Sequence, residues 1–288
     1  MKRSFLKVFV KCGLLLSSVT LLVTACDDSD DTVRSDDVAT GQMYATFQIF
    51  SDGSDEIYAE AQLTKDSPAS SSSRSDIYIA LTDRDRLWMS EGEEAGSFEL
   101  DDDLFGGLEN IDRNQVAFER AGVGEYFFFN SLVISEQRWY FAEHEKSETQ
   151  GQTYRVSLIR KNGRDANGSV VVMPDDYQLV NPVFSDSFSR SEDDIAVEWS
   201  PIDTAATITI EVLTSCQDGG FESYTQTLNS DTGTALIPAG DLESFSLEGS
   251  CTSTISVSKN RLGTFDSTFR GGIISAHQLR SVSVSTLD

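Results

Sequence analysis

Short blocks of alternating apolar and polar residues fill the chain from residue 41 onward, and they predict β-strands. In residues 44–50 and 57–63 the apolar side chains recur at every second position, as in a strand with one buried face. Residues 51–55 between them are rich in serine, aspartate and glycine, so the two strands are predicted to form a hairpin. No stretch keeps a helical period for three full turns. We therefore expect an all-β protein.

The same alternation predicts further strands on both sides of a proline-containing segment. In the first half these are residues 77–81, 116–118, 125–129, 138–141, 154–159 and 170–173. In the second half they are residues 195–199, 206–212, 223–228, 234–237, 253–257 and 279–284. Pro174 and Pro182 lie between the two groups, where one module ends and another begins. We predict two β-sandwich-like domains, residues 41–180 and 181–288.

The first 28 residues follow a different pattern, because a basic start precedes a single apolar run. This run ends at Thr24 and Ala25, directly before Cys26. Between Lys11 and Cys26 it has 14 residues. A spanning helix needs roughly 18 apolar residues, whereas a cleaved signal needs about 7 to 15. The segment resembles the signal peptide of bacterial lipoproteins, in which a small residue precedes the cysteine that becomes lipidated.

This resemblance implies that residues 1–25 are removed and that Cys26 carries a lipid anchor. Two or more acyl chains hold a protein stably on a membrane, whereas one chain binds only marginally. The protein would then belong to the cell envelope, exposed to the periplasm or the cell surface. Acidic residues after the cysteine accompany inner-membrane retention in some bacteria and surface export in others, so the choice between inner and outer membrane stays open. Plain secretion and an uncleaved anchor are the alternatives.

The charge of the chain narrows the classes of partner. Residues 26–40 are acidic and nearly free of large apolar side chains, which predicts a flexible acidic tether. The net charge is −25, and removal of the four basic residues of the signal lowers it to about −29. Such a surface repels phosphate backbones, which argues against nucleic acid as a partner. Cations and basic surfaces are favoured.

The four cysteines divide into three groups. Cys12 leaves with the signal and Cys26 takes the lipid, so Cys216 and Cys251 remain as a pair. Outside the cytoplasm such a pair most often forms a disulfide. A metal site would need further histidine or cysteine ligands, and the chain has only two histidines. We predict a disulfide that closes a loop of about 35 residues.

Residues 181–288 resemble fibronectin type III and related immunoglobulin-like modules. Residues 195–201 look like the second strand of that fold, with Trp199 as its core tryptophan, and residues 237–242 look like the corner before the sixth strand. Gly249 stands where the antibody-type corner has a tyrosine. Cys216 follows the predicted third strand and Cys251 precedes the sixth. These two strands are antiparallel neighbours in such a sandwich, so the cysteines fall within reach of each other.

The sequence contains no motif of a known catalytic chemistry. Gly-x-Ser-x-Gly, His-Glu-x-x-His, Cys-x-x-Cys and phosphate-binding glycine loops do not occur. His144 and His277 have no catalytic partner that the sequence can name, so we predict no catalytic, cofactor-binding or metal-ligating residue. The acidic loops 52–56, 101–103 and 165–168 keep calcium open as an alternative ligand, although none has the spacing of a calcium-binding loop.

An aromatic run is the candidate contact site. Tyr126, Phe127, Phe128 and Phe129 follow one another, and successive strand residues point to opposite faces. If only one face is covered, two rings are exposed and form a contact patch; a central strand buried on both sides is the alternative. We therefore expect a non-enzymatic binding or scaffolding role in the cell envelope, with a protein or glycan partner. A carbohydrate-active or other extracytoplasmic hydrolase that uses two of the many carboxylates is the alternative.

Overall fold

The computed structural model describes residues 33–65, 78–82, 85–92, 115–117, 119–125, 136–146, 149–217, 219–242 and 249–288. Strands dominate these residues, together with two short 3₁₀ turns at Ser35–Asp37 and Thr40–Gln42. The prediction of an all-β, sandwich-like fold is confirmed. Within the described ranges, no helix has the length and hydropathy that crossing a membrane requires.

The strands are numbered in chain order. They are β1 (Val33–Arg34), β2 (Tyr44–Ser51), β3 (Glu56–Thr64), β4 (Ile79–Ala80), β5 (Arg86–Glu91), β6 (Gln115–Ala117), β7 (Glu119–Glu125), β8 (Glu136–Glu145), β9 (Thr153–Ile159), β10 (Ala166–Val172), β11 (Gln178–Asn181), β12 (Ser187–Ser189), β13 (Ile195–Ser200), β14 (Thr207–Cys216), β15 (Phe221–Leu228), β16 (Thr234–Ile237), β17 (Cys251–Leu262) and β18 (Gly271–Leu287). The predicted hairpin of residues 44–63 is β2 and β3, which pair antiparallel.

Three sheets carry the fold. The largest has nine strands in the order β15-β14-β17-β18-β2-β3-β8-β7, with β12 also paired to β18. A four-stranded sheet has the order β10-β9-β5-β6, and a three-stranded sheet has the order β11-β13-β16. The short strands β1 and β4 form a parallel pair of their own.

The strand β18 is 17 residues long and joins both halves of the chain. One of its edges pairs antiparallel with β17, and the other pairs parallel with β2 and then with β12. The alternation predicted a strand only at residues 279–284. Gln278 and Arg280 occupy inward positions in the middle of β18, so they interrupt the apolar pattern that would have shown its full length.

The close approach of β18 to β2 requires glycine at one position. Gly272 has a φ of +149°, and a Cβ atom placed there would lie 1.9 Å from the carbonyl oxygen of Ala45. Any other residue would push the two backbones apart. A sequence feature that weakens a strand in isolation is therefore what allows this pair of strands to form.

Two hydrophobic clusters lie on the same face of the nine-stranded sheet. On β18, Ile274 and Ala276 belong to the first cluster and Val284 to the second, and residues an even number apart point to one face. The four-stranded sheet covers the first cluster and the three-stranded sheet covers the second. The predicted boundary at residue 181 lies near the start of the second cluster, and Thr32–Asp288 form one compact unit.

Residues 33–40 of the predicted tether contact the fold through Arg160. The guanidinium group of Arg160 donates hydrogen bonds to the carbonyl oxygens of Ser35 and Val38, and it forms an ion pair with Asp85 at 3.1 Å. Val38 and Ser35 are themselves buried. The acidic composition of residues 26–40 could not reveal a partner so distant in the sequence.

The predicted disulfide between Cys216 and Cys251 is confirmed. Cys216 is the last residue of β14 and Cys251 the first of β17, and the two are direct partners across the strands, with Cα atoms 4.0 Å apart. The bond therefore closes one end of the β14–β17 ladder.

Removal of the disulfide is expected to lower the free energy of unfolding by about 3 to 4 kcal/mol, because a loop of 35 residues is no longer closed in the unfolded chain. Urea unfolding of the double variant Cys216→Ser, Cys251→Ser would measure the loss. Wild type unfolded in the presence of a reductant is the control and should match the variant. An unfolding free energy equal to that of oxidised wild type would contradict the prediction.

Candidate binding surface

The inward face of the nine-stranded sheet carries charged side chains between the two hydrophobic clusters. Lys259 on β17 is fully buried and lies 2.9 Å from the carboxylate of Asp231, which is equally inaccessible. The ammonium group also donates to the carbonyl oxygen of Pro201, and it lies 4.7 Å from the centre of the Tyr177 ring. A buried lysine is stable only when paired in this way.

The carboxylate of Asp231 is held by several donors. It accepts hydrogen bonds from the indole N–H of Trp199 and from the backbone N–H of Asp203, each at 2.7 Å. Burial alone would raise the pKa of Asp231, but the donors from Lys259, Asp203 and Trp199 outweigh burial and hold the pKa below its usual value. The carboxylate of Asp231 therefore favours its ionised form and has donors from both the backbone and side chains.

Further ion pairs lie on the side toward the first hydrophobic cluster, and together with Lys259 and Asp231 they form the charged junction between the two clusters. Asp176 pairs with Arg280 and lies 2.7 Å from the ammonium group of Lys146. Asp203, a further buried carboxylate, lies 2.6 Å from the guanidinium group of Arg261. A shallow pocket beside Lys146 and Asp176 opens to solvent. The charges of the junction are thus bound to one another, which suits a role in stability.

The outward face of the same sheet has a different chemistry. Along β15, β14, β17 and β18 it presents mainly hydroxyl side chains. The members of this hydroxyl face are Thr207, Thr209, Ser215, Ser223, Thr225, Thr227, Thr252, Thr254, Ser256, Ser258, Ser281, Ser283 and Ser285. Glu211 is the one charged side chain of either sign on this face among the residues that the structure describes. The result is a broad, nearly uncharged surface on a strongly acidic protein.

Neighbouring members of the hydroxyl face bond to one another across the strands. The hydroxyl groups of Thr254 and Ser283 are 3.0 Å apart, and those of Ser256 and Ser281 are also 3.0 Å apart. Each hydroxyl has one donor and two acceptor lone pairs, so these pairs keep free capacity for a ligand. Exposed apolar side chains, Leu213 and Phe221, lie near the β15 end of the face.

A ladder of three rings continues this outward face onto β2 and β3. His277, Phe50 and Tyr58 are consecutive partners across the strands, and adjacent ring centres are 5.4 Å apart. Burial lowers the pKa of His277, so the imidazole is neutral at pH 7. The hydrogen bond that the Tyr58 hydroxyl donates to Glu56 raises the pKa of Tyr58 to about 12. The three rings are therefore uncharged, whereas Glu56, which accepts the hydrogen bond from Tyr58, adds a carboxylate to the same face on β3.

Several predicted site residues fall outside the described residues. Cys26 is one, the aromatic run Tyr126, Phe127, Phe128 and Phe129 is another, and the acidic loop 101–103 is the third. The anchor and the aromatic contact patch stay predictions. His144 lies on β8, and His277 belongs to the ring ladder.

The two acidic loops that the structure does describe use carboxylates to hold their own backbone. Asp52 accepts a hydrogen bond from the N–H of Ser54 at 3.0 Å, and Asp165 accepts one from the N–H of Arg160 at 2.7 Å. In the described part of the chain, no three or more metal-type ligands come together.

Sequence reasoning missed the hydroxyl face because it considered each strand alone. Serine and threonine at alternate positions of residues 223–228, 253–257 and 279–284 are visible in the sequence. They form one surface only because β15, β14, β17 and β18 are neighbours in that order. No family model matches the chain, and no curated protein matches it. The fold is that of an all-β, sandwich-like protein, and the hydroxyl face is its candidate binding surface.

Acid is expected to destabilise the fold through the buried carboxylates. The pKa of Asp231 lies below its value in the unfolded chain, which is about 3.9. Its stabilising contribution is therefore present above that pH and is lost as the pH falls through the folded-state pKa. Asp231→Asn should lower the unfolding free energy at pH 7 by about 3 to 5 kcal/mol, because Lys259 loses its buried partner.

Urea unfolding between neutral and acid pH measures both effects. The variant should lose less stability on acidification than wild type, since one of the titrating groups is gone. Glu211→Gln, a change at an exposed position of β14, is the matched control and should keep the wild-type pH dependence. A pH dependence of Asp231→Asn identical to wild type would contradict the assignment.

Proposed function

We propose that this protein is a non-enzymatic binding or scaffolding component of the bacterial cell envelope. It is anchored by a lipid at Cys26 and presents the hydroxyl face to a protein or glycan partner. The observation that carries this proposal is the contrast between a net charge of −25 and a broad face with one carboxylate. A surface with few charges loses less solvation energy than a charged one when a partner covers it, provided that its hydroxyl groups form hydrogen bonds with that partner.

The chemistry of the hydroxyl face supports this role. Serine and threonine both donate and accept hydrogen bonds, so they suit the hydroxyls of a glycan or the polar groups of a protein surface. Leu213 and Phe221 add exposed apolar area at one end, and Phe221 is 59% exposed. A mixture of adaptable polar groups and a few apolar anchors is typical of binding surfaces.

The anchor would keep this surface close to the membrane. The resemblance of residues 1–26 to a lipoprotein signal supports a lipidated Cys26, and Val33 is the first described residue of the fold. The segment between these two residues spans at most about 25 Å even when fully extended. The binding face would therefore act within the envelope layer next to its own membrane.

The alternative role as a hydrolase requires two carboxylates that can reach a substrate. Asp203 and Asp231 are neighbouring carboxylates, since the backbone N–H of Asp203 donates to Asp231. Both are buried, and they form ion pairs with Arg261 and Lys259, respectively. Their bonding favours the structural role described above. The binding role therefore has the better support.

Loss of the anchor is expected to release the protein from membranes. In Cys26→Ala no thioether lipid can form, so the variant should leave the detergent phase in phase partitioning, whereas wild type should enter it. Intact-mass analysis of the wild-type product should show an acylated amino terminus that begins at Cys26. A wild-type product that retains Met1 and carries no acyl group would contradict the lipoprotein assignment.

Binding through the hydroxyl face is tested by placing a charge at its centre. Ser256→Lys should weaken capture of the envelope protein or polysaccharide that the mature chain retains by about tenfold, because a long charged side chain would replace the Ser256–Ser281 hydroxyl pair and hold the partner away from the face. Thr204→Lys, at an exposed position outside the sheet, is the matched control and should leave capture unchanged. Equal loss in both variants, or no retained component at all, would contradict the proposal.

A further inference from the structure

The strand β15 is an edge of the nine-stranded sheet. It pairs with β14 along all eight of its residues, from Phe221 to Leu228, with no shift in register. At the turn before it, the N–H of Cys216 donates to the carbonyl oxygen of Gly220. Hydrogen-bonded pairs alternate along an antiparallel ladder, so this bond sets which residues of β15 bond to β14.

Because of this alternation, four residues of β15 have backbone N–H and C=O groups that point away from β14, toward the open edge of the sheet. Glu222 and the residues at even numbers after it bond to β14, whereas the N–H and C=O groups of Phe221, Ser223, Thr225 and Thr227 point to the other side. No described residue pairs with that side of the strand. With respect to the described residues, the edge is therefore a row of backbone donors and acceptors that a further strand can join.

Natural proteins usually protect such an edge. They shorten it, twist it with a bulge, or place lysine or proline on it. The sequence of β15, FESYTQTL, contains neither lysine nor proline, and its register has no bulge. Its one charged residue is Glu222, which would repel an acidic strand and attract a basic one. Threonine, tyrosine and phenylalanine also favour an extended backbone. This edge is therefore preformed for pairing with another strand.

The charge around β15 indicates what kind of strand would bind. Residues 191–258 contain 12 acidic residues and no lysine, arginine or histidine. Glu211 lies on β14 opposite Thr225, and Asp241 hydrogen-bonds with Tyr224 of β15. A basic segment would be attracted to this region, whereas a second copy of the chain, with its own net charge of −25, would be repelled.

We propose that β15 binds an extended, basic segment of a partner protein, which adds to the sheet as a further strand next to β15. Main-chain hydrogen bonds would supply affinity, and lysine or arginine side chains at alternate positions would meet the carboxylates beside the edge. The inference rests on the proposed binding role and names one class of partner for it. It concerns the edge of the sheet, whereas the capture test above concerns the outward face.

A labelled peptide of alternating lysine and valine is the probe, and its binding to the mature protein is followed by fluorescence anisotropy. Thr225→Pro removes one N–H from the open edge and leaves every hydrogen bond to β14 in place, so it should weaken binding by about tenfold. Thr225→Val keeps the N–H and is the matched control, with affinity equal to wild type. The glutamate–valine peptide should not bind.

A second probe makes the test independent of how the variant folds. The same lysine–valine peptide with an N-methyl group on every amide has no N–H donor on either edge and cannot pair with β15, so it should lose binding to the unchanged wild-type protein. Wild-type affinity for the N-methylated peptide, wild-type affinity in Thr225→Pro, or no binding of the parent peptide would each overturn the inference. Loss of the envelope partner in Ser256→Lys but not in Thr225→Pro would leave the proposed function standing without this edge.

Discussion

The pairing of β18 with strands from both halves of the chain is the constraint on which the rest of the structure depends. On one edge β18 extends the ladder of β14 and β17, and on the other it carries β2 and the strands beyond it. Its inward residues supply both hydrophobic clusters, and its outward residues contribute to both the hydroxyl face and the ring ladder. Through β18 the strands of both halves therefore belong to one sheet.

Because both cores share one sheet, charged side chains lie on its inward face between the two hydrophobic clusters. Where the two covering sheets meet, inward positions of β17 and β18 carry Lys259, Gln278 and Arg280 instead of apolar residues. Each bonds to a residue outside the sheet. Lys259 forms an ion pair with Asp231, Arg280 forms one with Asp176, and Gln278 donates to the carbonyl oxygen of Pro174. Buried ion pairs add little net stability, but removal of one member is costly, so they favour one arrangement of the two cores over others.

The local parts of this architecture could be predicted from the sequence, and the long-range parts could not. Alternation and turn residues located the β2–β3 hairpin, and the count of cysteines located the disulfide, because both depend on signals that are close together or chemically distinctive. The length of β18 was hidden by polar inward residues. The contacts of residues 33–40 depend on Arg160, which is more than 100 residues away in the sequence. The hydroxyl face depends on the order of the strands in the sheet, which the sequence of one strand does not show.

The parallel pairing of β2 with β18 also has a consequence for biogenesis. Tyr44 pairs with Gly271, so β2, which is synthesised early, can pair with β18 only after β18 has been synthesised. Such a high contact order makes closure of the sheet a late step. The nine-stranded sheet therefore cannot close until β18, the last of the described strands, has been synthesised.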